Sequence, residues 1–230
     1  MAKVSLAEHM QEQLQKPEHQ PENVGPFITI SRQYGCWGFS LGLLLLDLLN
    51  EQVPGDRAWN VYHKDILDQL ATETNTAAHL IERQRKAKPQ RLMDFFRSLS
   101  GEKVPSGHEI RNRISRIIRE LAIDGYAIII GQGGAGATQD LPNGLSIRLE
   151  APEDWRIKQV VFREGLSETQ AALQLKAKEE EKEYLRKIYE ARFPRKPAFN
   201  VVYDCSVFTL AQIAQNVAYS LKLLHTKGLS

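Results

Sequence analysis

Cysteine is nearly missing from this chain of 230 residues; the two present are Cys36 and Cys205. Their separation matches no metal-ligand spacing, and one pair cannot build a disulfide framework. They read as reduced thiols of a cytoplasmic protein. Charge of one sign is missing too. Thirty lysines and arginines stand against 28 acidic residues, a net charge of +2. No general affinity for nucleic acid or membrane is expected, and only local basic clusters stay open. Long apolar runs are absent: the most apolar stretch, 41–49, is broken by Asp47 and falls far short of a membrane span. The first residues carry no basic segment followed by an apolar one, so no signal peptide is expected. Nor does the chain contain the phosphate-binding pattern G-x-x-x-x-G-K-[ST].

What is present is ordinary for a globular protein: 42% hydrophobic and 25% charged residues, enough for one good core. Residues 1–24 are rich in Gln, Glu, Lys and Pro and read as a flexible tail. Leu6, Met10 and Leu14 could line a short helix that Pro17 and Pro21 end. The rest, 25–226, reads as one domain. Strands are expected at 27–30, 59–62, 127–130, 145–149 and 201–203. The second of the glycine-bearing turns follows Ala127-Ile128-Ile129-Ile130, a wholly apolar run of the kind buried on both faces. Helices are expected at 39–50 (hydrophobic nearly all round), 65–73, 76–86, 109–123, 152–163, from 167, over 176–192 and at 210–224, with a short amphipathic piece at 92–96. Pro152 suits a first turn, and Ser167 with Gln170 fits a capping box. Five strands separated by helices predict an α/β protein, a three-layer α/β/α sandwich around a five-stranded parallel sheet.

Two strand-to-turn junctions could hold a phosphate, because a helix N-terminus presents unpaired N–H groups and partial positive charge. The second contains a literal G-x-G-x-x-G at Gly131, Gly133 and Gly136, with Glu150 placed to meet a ribose, as in dinucleotide-binding oxidoreductases. Little room is left there for a crossover helix, because Pro142-Asn143-Gly144 ends the connection. The first junction, Ile30-Ser31-Arg32-Gln33-Tyr34-Gly35-Cys36-Trp37-Gly38-Phe39-Ser40, leads straight into a leucine-rich helix. Laid on the standard phosphate-loop pattern, it has Arg32 and Trp37 at the two glycines and Gly38 at the lysine.

The segments Ile28-Thr29-Ile30-Ser31-Arg32-Gln33-Tyr34-Gly35, Val61-Tyr62-His63-Lys64-Asp65-Ile66-Leu67, Ile118-Arg119-Glu120-Leu121-Ala122, Ile128-Ile129-Ile130-Gly131-Gln132-Gly133, Arg148-Leu149-Glu150-Ala151-Pro152-Glu153-Asp154-Trp155-Arg156-Ile157 and Asn200-Val201-Val202-Tyr203-Asp204 occur in order. Together they resemble the cytidylate-kinase-like family, whose rewritten phosphate loop typically reads I-S-R-[QE]-Y-G-S-G-G-R. Gly165-Leu166-Ser167-Glu168 and Tyr184-Leu185 resemble its lid. The likeness runs from about residue 27 to 224.

The resemblance implies a P-loop nucleoside-monophosphate-kinase fold with a helical acceptor-binding insertion over about 63–118 and a lid over about 165–195. It implies ATP and Mg²⁺ as cofactors and a small nucleotide acceptor, a pyrimidine nucleoside monophosphate such as CMP. Arg32, Gly35, Cys36, Trp37, Gly38, Phe39 and Ser40 would hold the donor, with Ser40 on the metal side. His63, Asp65, Arg119, Gly131, Gln132 and Gly133 would meet the acceptor. Arg156, Lys178 and Lys182, beside Lys176, would meet the transferring group, because phosphoryl transfer is catalysed mainly by positive charge placed around the moving phosphate. Several family cations are replaced. Phe39, Gln132 and Gln159 stand at arginines, the lid reads Lys178-Glu179-Glu180-Glu181 where D-R-x-R is expected, and His63 replaces an aspartate. Trp37 stands at a glycine that lets backbone approach phosphate. The expectation is an attenuated nucleotide kinase. The alternative is a catalytically inactive relative acting as a nucleotide-binding sensor or protein-interaction scaffold. No nucleic acid or membrane partner is expected, and the oligomeric state stays open, a homodimer included.

Overall fold

The computed structural model describes residues 24–51, 57–72, 107–190 and 199–226. The helix expected at 76–86, the piece at 92–96, most of the helical insertion and the tail at 1–23 lie outside them. Strand β1 is Phe27–Arg32, β2 Asn60–Tyr62, β3 Ala127–Ile130, β4 Gly144–Glu150 and β5 Val201–Asp204. Helices are α1 Gly38–Asn50, α2 Lys64–Thr72, α3 Gly107–Asp124, α4 Gly134–Ala137, α5 Glu153–Glu164, α6 Glu168–Glu190 and α7 Leu210–Thr226.

The five strands form one sheet in the order β2-β3-β1-β4-β5, with every neighbouring pair parallel. Successive side chains of a strand point to opposite faces, and β1 shows what this does here. Phe27 joins a core with Tyr62, Ala127 and Ile129 against Leu67 of α2 and Ile114, Ile117, Ile118 and Leu121 of α3. Ile28 and Ile30 join the other core with Ile128, Ile130, Ile147 and Leu149 against Leu41, Leu45 and Leu49 of α1 and Ile213 and Val217 of α7. That is the expected three-layer sandwich. All four residues of β3 are buried, as its unbroken apolar run required.

Several local expectations change. Helix α1 is not buried all round. It packs on the sheet through Leu41, Leu45 and Leu49, while Leu43 and Leu44 face solvent. Gly42 makes the close approach possible, since a Cβ there would lie 2.6 Å from Ile130 Cδ1. Pro152 is the N-cap of α5 and not its first turn. The charged run at 176–192 is no separate helix but continues α6, which starts at the expected box: Ser167 N–H donates to Gln170 Oε1 (3.0 Å) and Gln170 N–H to Ser167 Oγ (3.3 Å). The connection from β3 to β4 crosses β1 with one helical turn, α4, whose Gly134 lies against Ile129 and Thr29. Val24, placed in the expected tail, is buried, and its carbonyl accepts from Asn143 Nδ2 at 2.9 Å.

Gly144 opens β4 directly over the buried Phe27 ring: a Cβ there would fall 2.1 Å from Phe27 Cζ. An aromatic ring held in a closed core cannot give way cheaply, and overpacking of this kind costs about 1–3 kcal/mol. Gly144→Ala is therefore expected to lower the urea midpoint with an unchanged slope. An unchanged midpoint would show that the ring is not confined.

Candidate functional site

Ligands of open parallel sheets bind outside the carboxyl ends of the strands. At that edge the sequence delivers four turns: residues 33–37 after β1, His63 after β2, 131–133 after β3, and 151–152 after β4. The turn after β1 is tied to β4 by two bonds. Gln33 N–H donates to Leu149 O (2.9 Å) and Ala151 N–H donates to Gln33 Oε1 (3.0 Å). Arg148 donates to Ser31 Oγ at 3.1 Å and pairs with Glu150 at 2.5 Å. Glu150 is thus held by an arginine of its own strand and is not presented to a ribose.

Arg156 lies under this turn, only 4% exposed. It donates to Ala151 O (2.9 Å) and Tyr34 O (3.4 Å) and forms an ion pair with Glu179 of α6. Gly35, at φ +91°, rests on it: a Cβ there would lie 3.0 Å from Arg156 Cβ. Glycine is needed at this position for the left-handed backbone as well as the contact.

Arg32 is the second cation. Its stem runs along Gly38, where a Cβ would lie 3.1 Å from Arg32 Cδ, and its guanidinium covers Gly131, where a Cβ would lie 1.9 Å from a terminal nitrogen. Among the described residues Arg32 meets no carboxylate, and burial pushes its pKa down. It bridges the start of α1 and the turn 131–133, where Gly131, Gln132 and Gly133 all have positive φ (73°, 52° and 73°).

Trp37 is the N-cap of α1 in the left-handed region (φ 43°, ψ 44°) and offers no side-chain cap. The first-turn N–H groups of α1 therefore have no capping side chain, and the first turn carries no acid. A bulky residue in this region is held there against its preference. The guanidinium of Arg163, from α5, stacks over the Trp37 ring at 4.2 Å and donates to Ser40 Oγ at 3.2 Å. Among the described residues the buried Trp37 Nε1 has no hydrogen-bond partner. Phe39 is exposed and meets His63 edge-on, with ring centroids 5.0 Å apart. His63 Nδ1 accepts from Asp65 N–H at 3.3 Å.

The profile of the Cytidylate kinase-like family matches residues 27–207. This chain belongs to that family. No curated protein matches. Among solved structures the chain is similar to an uncharacterized protein from Eubacterium ventriosum (TM-score 0.61, 17% identity, covering 86% of this chain and 98% of that one). Looser matches include shikimate kinases from Bacteroides thetaiotaomicron (TM-score 0.42, 13% identity, 87% and 98% covered) and Acinetobacter baumannii (0.44, 14%, 90% and 96%). The first of these supports the fold alone; the kinase scores are too low to carry an argument.

Within the cytidylate-kinase-like family pattern, the structure brings Arg32, Gly35, Cys36, Trp37, Gly38, Phe39 and Ser40 to one strand-turn-helix junction. Gly131, Gln132 and Gly133 lie beside it through Arg32, and His63 and Asp65 beside it through Phe39. Arg119 belongs to a different set: it is buried, donates to Ala137 O (2.7 Å) and grips Asp140 with two bonds (2.7 and 3.0 Å). Lys176 and Lys178 are exposed on α6, and Lys182 follows on the same helix. Sequence reasoning missed Arg163. The signal was spacing: Gln159 replaces a family arginine, and position 163 is four residues on, on the same helical face.

A second tie joins the turn to α5 and α6. Tyr34 Oη donates to Glu164 Oε1 (2.6 Å), while Gln174 Nε2 donates to Tyr34 Oη (2.5 Å) and Glu164 Oε2 (2.9 Å). Desolvation, then the Glu164 carboxylate, push the phenol up to about 12. A raised folded pKa means the stabilisation is complete below the free-tyrosine value of about 10 and is lost as pH rises through the folded value. A tyrosinate absorbance titration should show one phenol ionising near 12 that Tyr34→Phe removes. Loss of a phenol titrating near 10 instead would show that the three-residue tie does not form.

Proposed function

We propose that this chain is a slow ATP-dependent nucleotide kinase that transfers the γ-phosphoryl group to a small nucleoside monophosphate, a pyrimidine such as CMP by family resemblance. The observation that carries this reading is the pair of arginines at the uncapped start of α1. Arg32 has no carboxylate partner among the described residues, and Arg163 is brought by α5 onto Trp37 and Ser40. The family places an arginine at position 39; here the positive charge comes from another helix.

The residues present fit a polyphosphate. The open N–H groups of α1, Gly35 and Gly38 offer backbone approach, and Arg32 and Arg163 supply charge. Among the described residues no cluster of three His, Cys, Asp or Glu could hold a metal alone. A Mg²⁺ ion would therefore be held mainly by the donor phosphates and water, with Ser40 as the protein hydroxyl, as is usual for this ion. When bound it would neutralise charge between the β- and γ-phosphates.

In this reading His63, Asp65 and the turn 131–133 face the acceptor, and Lys178 and Lys182 approach the transferring group as α6 moves. Two assigned arginines already have partners: Arg156 holds Glu179, and Arg119 holds Asp140. Their use on phosphate requires exchange of those carboxylates. Loss of one transition-state arginine can cost about 10³ in rate, so a slow enzyme is the expected result. The same two ion pairs favour the second reading, a relative that binds nucleotide without turnover.

A coupled ADP-release assay over a panel of nucleoside monophosphates decides between them. Slow turnover with at least one pyrimidine acceptor is expected. Arg163→Gln should then raise KM for ATP about tenfold or more, the worth of one charge-assisted contact, with a smaller change in acceptor KM. Nucleotide binding without turnover by the folded chain would establish the second reading. Neither binding nor turnover would remove both.

A further inference from the structure

Cys36 and Cys205, remote in sequence, are side-chain neighbours in the fold. Both are free and both are buried in the same core, at the end of β4: the turn that carries Cys36 is tied to Leu149 and Ala151 through Gln33, and Cys205 is tied to Glu150 between them. Cys36 sits in the turn after β1, its N–H donating to Gln33 O at 3.3 Å. Cys205 follows β5 and is fixed to β4, its N–H donating to Glu150 O at 2.8 Å. The family's phosphate loop typically has serine where this chain has Cys36, so the pairing cannot be read from the family pattern.

We propose that this pair is a peroxide-oxidisable thiol site, closing a Cys36–Cys205 disulfide that ties the phosphate-loop turn to the end of β5. The chemistry balances with hydrogen peroxide as the oxidant. The Cys205 sulfur attacks one peroxide oxygen; an S–O bond forms, the O–O bond breaks, and the departing hydroxide leaves as water with the thiol proton. The Cys36 sulfur then attacks the sulfenic sulfur. The S–S bond forms, the S–O bond breaks, and a second water carries off the Cys36 proton. Two thiols lose two electrons and the peroxide gains them.

Only the first step needs access from solvent. Cys205 retains 7% exposure and lies between exposed Asp204 and Ser206, whereas Cys36 has none. Exposure separates their roles: the sulfur that solvent reaches meets the peroxide, and the fully buried one in the same core resolves it. The Arg156–Glu179 pair acts electrostatically on Cys36, so the new bond would form beside the contact that holds the turn. None of this rests on kinase activity.

The test uses the full chain, reduced, exchanged out of reductant, treated with a small excess of hydrogen peroxide, and then unfolded in an alkylating agent. The expected product is a monomer lighter by two hydrogens, with no alkyl adducts and a crosslinked peptide pair containing Cys36 and Cys205. Hydrogen exchange of the peptide covering residues 33–41 should slow several-fold on oxidation and recover with reductant. Cys36→Ser should stop the reaction at a sulfenic acid on Cys205, trapped as a dimedone adduct. If that variant does not fold, the wild-type crosslink decides alone. Two alkylated thiols after peroxide, a disulfide between chains, or a sulfinic acid without crosslink would each overturn the proposal.

Discussion

Arg156 holds the turn after β1 to the sheet and to α6 at once. Its guanidinium is buried, and a buried charge is tolerated only when its hydrogen-bonding capacity is used and a counter-charge is close. Here Ala151 O comes from the end of β4, Tyr34 O from the turn, and Glu179 from α6. Gly35 can lie flat on the side chain because it has no Cβ. Losing Glu179 would leave the charge uncompensated and losing either carbonyl would leave an N–H unsatisfied, so the positions of the turn, the end of β4 and α6 are set together. Tyr34, Glu164 and Gln174 repeat the link on the outer side of the turn.

That constraint shapes the chemistry. A phosphate loop normally combines glycine-rich backbone with a lysine from its own helix. This turn has neither glycine of that pattern nor its lysine, and it has a tryptophan in a left-handed conformation at the N-cap. Because α5 is anchored by Arg156, the same helical face carries Arg163 to the top of the turn, where it stacks on Trp37 and reaches Ser40. In the proposed function this restores the cation through space. Its partners among the described residues are an aromatic face and a hydroxyl, both weaker than a phosphate oxygen, so the proposed function asks only that a polyphosphate displace these. The exchange that Arg156 and Arg119 would have to make against carboxylates is harder.

The sheet was readable from the sequence because its strands differ in burial. β3 is apolar throughout, and β4 alternates Leu145, Ile147 and Leu149 inward. The order β2-β3-β1-β4-β5 was not readable, since periodicity does not say which strands neighbour. The Ser167–Gln170 box was visible as a local pattern, whereas the matching Thr209–Gln212 box at the start of α7 escaped notice. At the site, the turn residues come together as a group because they are contiguous. The partners of the arginines were not foreseen. Asp140 lies 21 residues from Arg119 and Glu179 lies 23 from Arg156. Pairing over such distances depends on helix packing and not on local spacing. The contact of Cys36 with Cys205 was hidden for the same reason: strand order decides it.

The central claim is that the positive charge of the donor site has moved from the phosphate-loop helix to Arg32 and Arg163. A crystal structure of the full chain with Mg²⁺ and a non-hydrolysable ATP analogue tests it most directly. The account predicts phosphate oxygens within hydrogen-bonding distance of both guanidinium groups above the start of α1, with Arg163 drawn off the Trp37 ring. An analogue bound elsewhere, with Arg163 still stacked on Trp37 and bonded to Ser40, would contradict it.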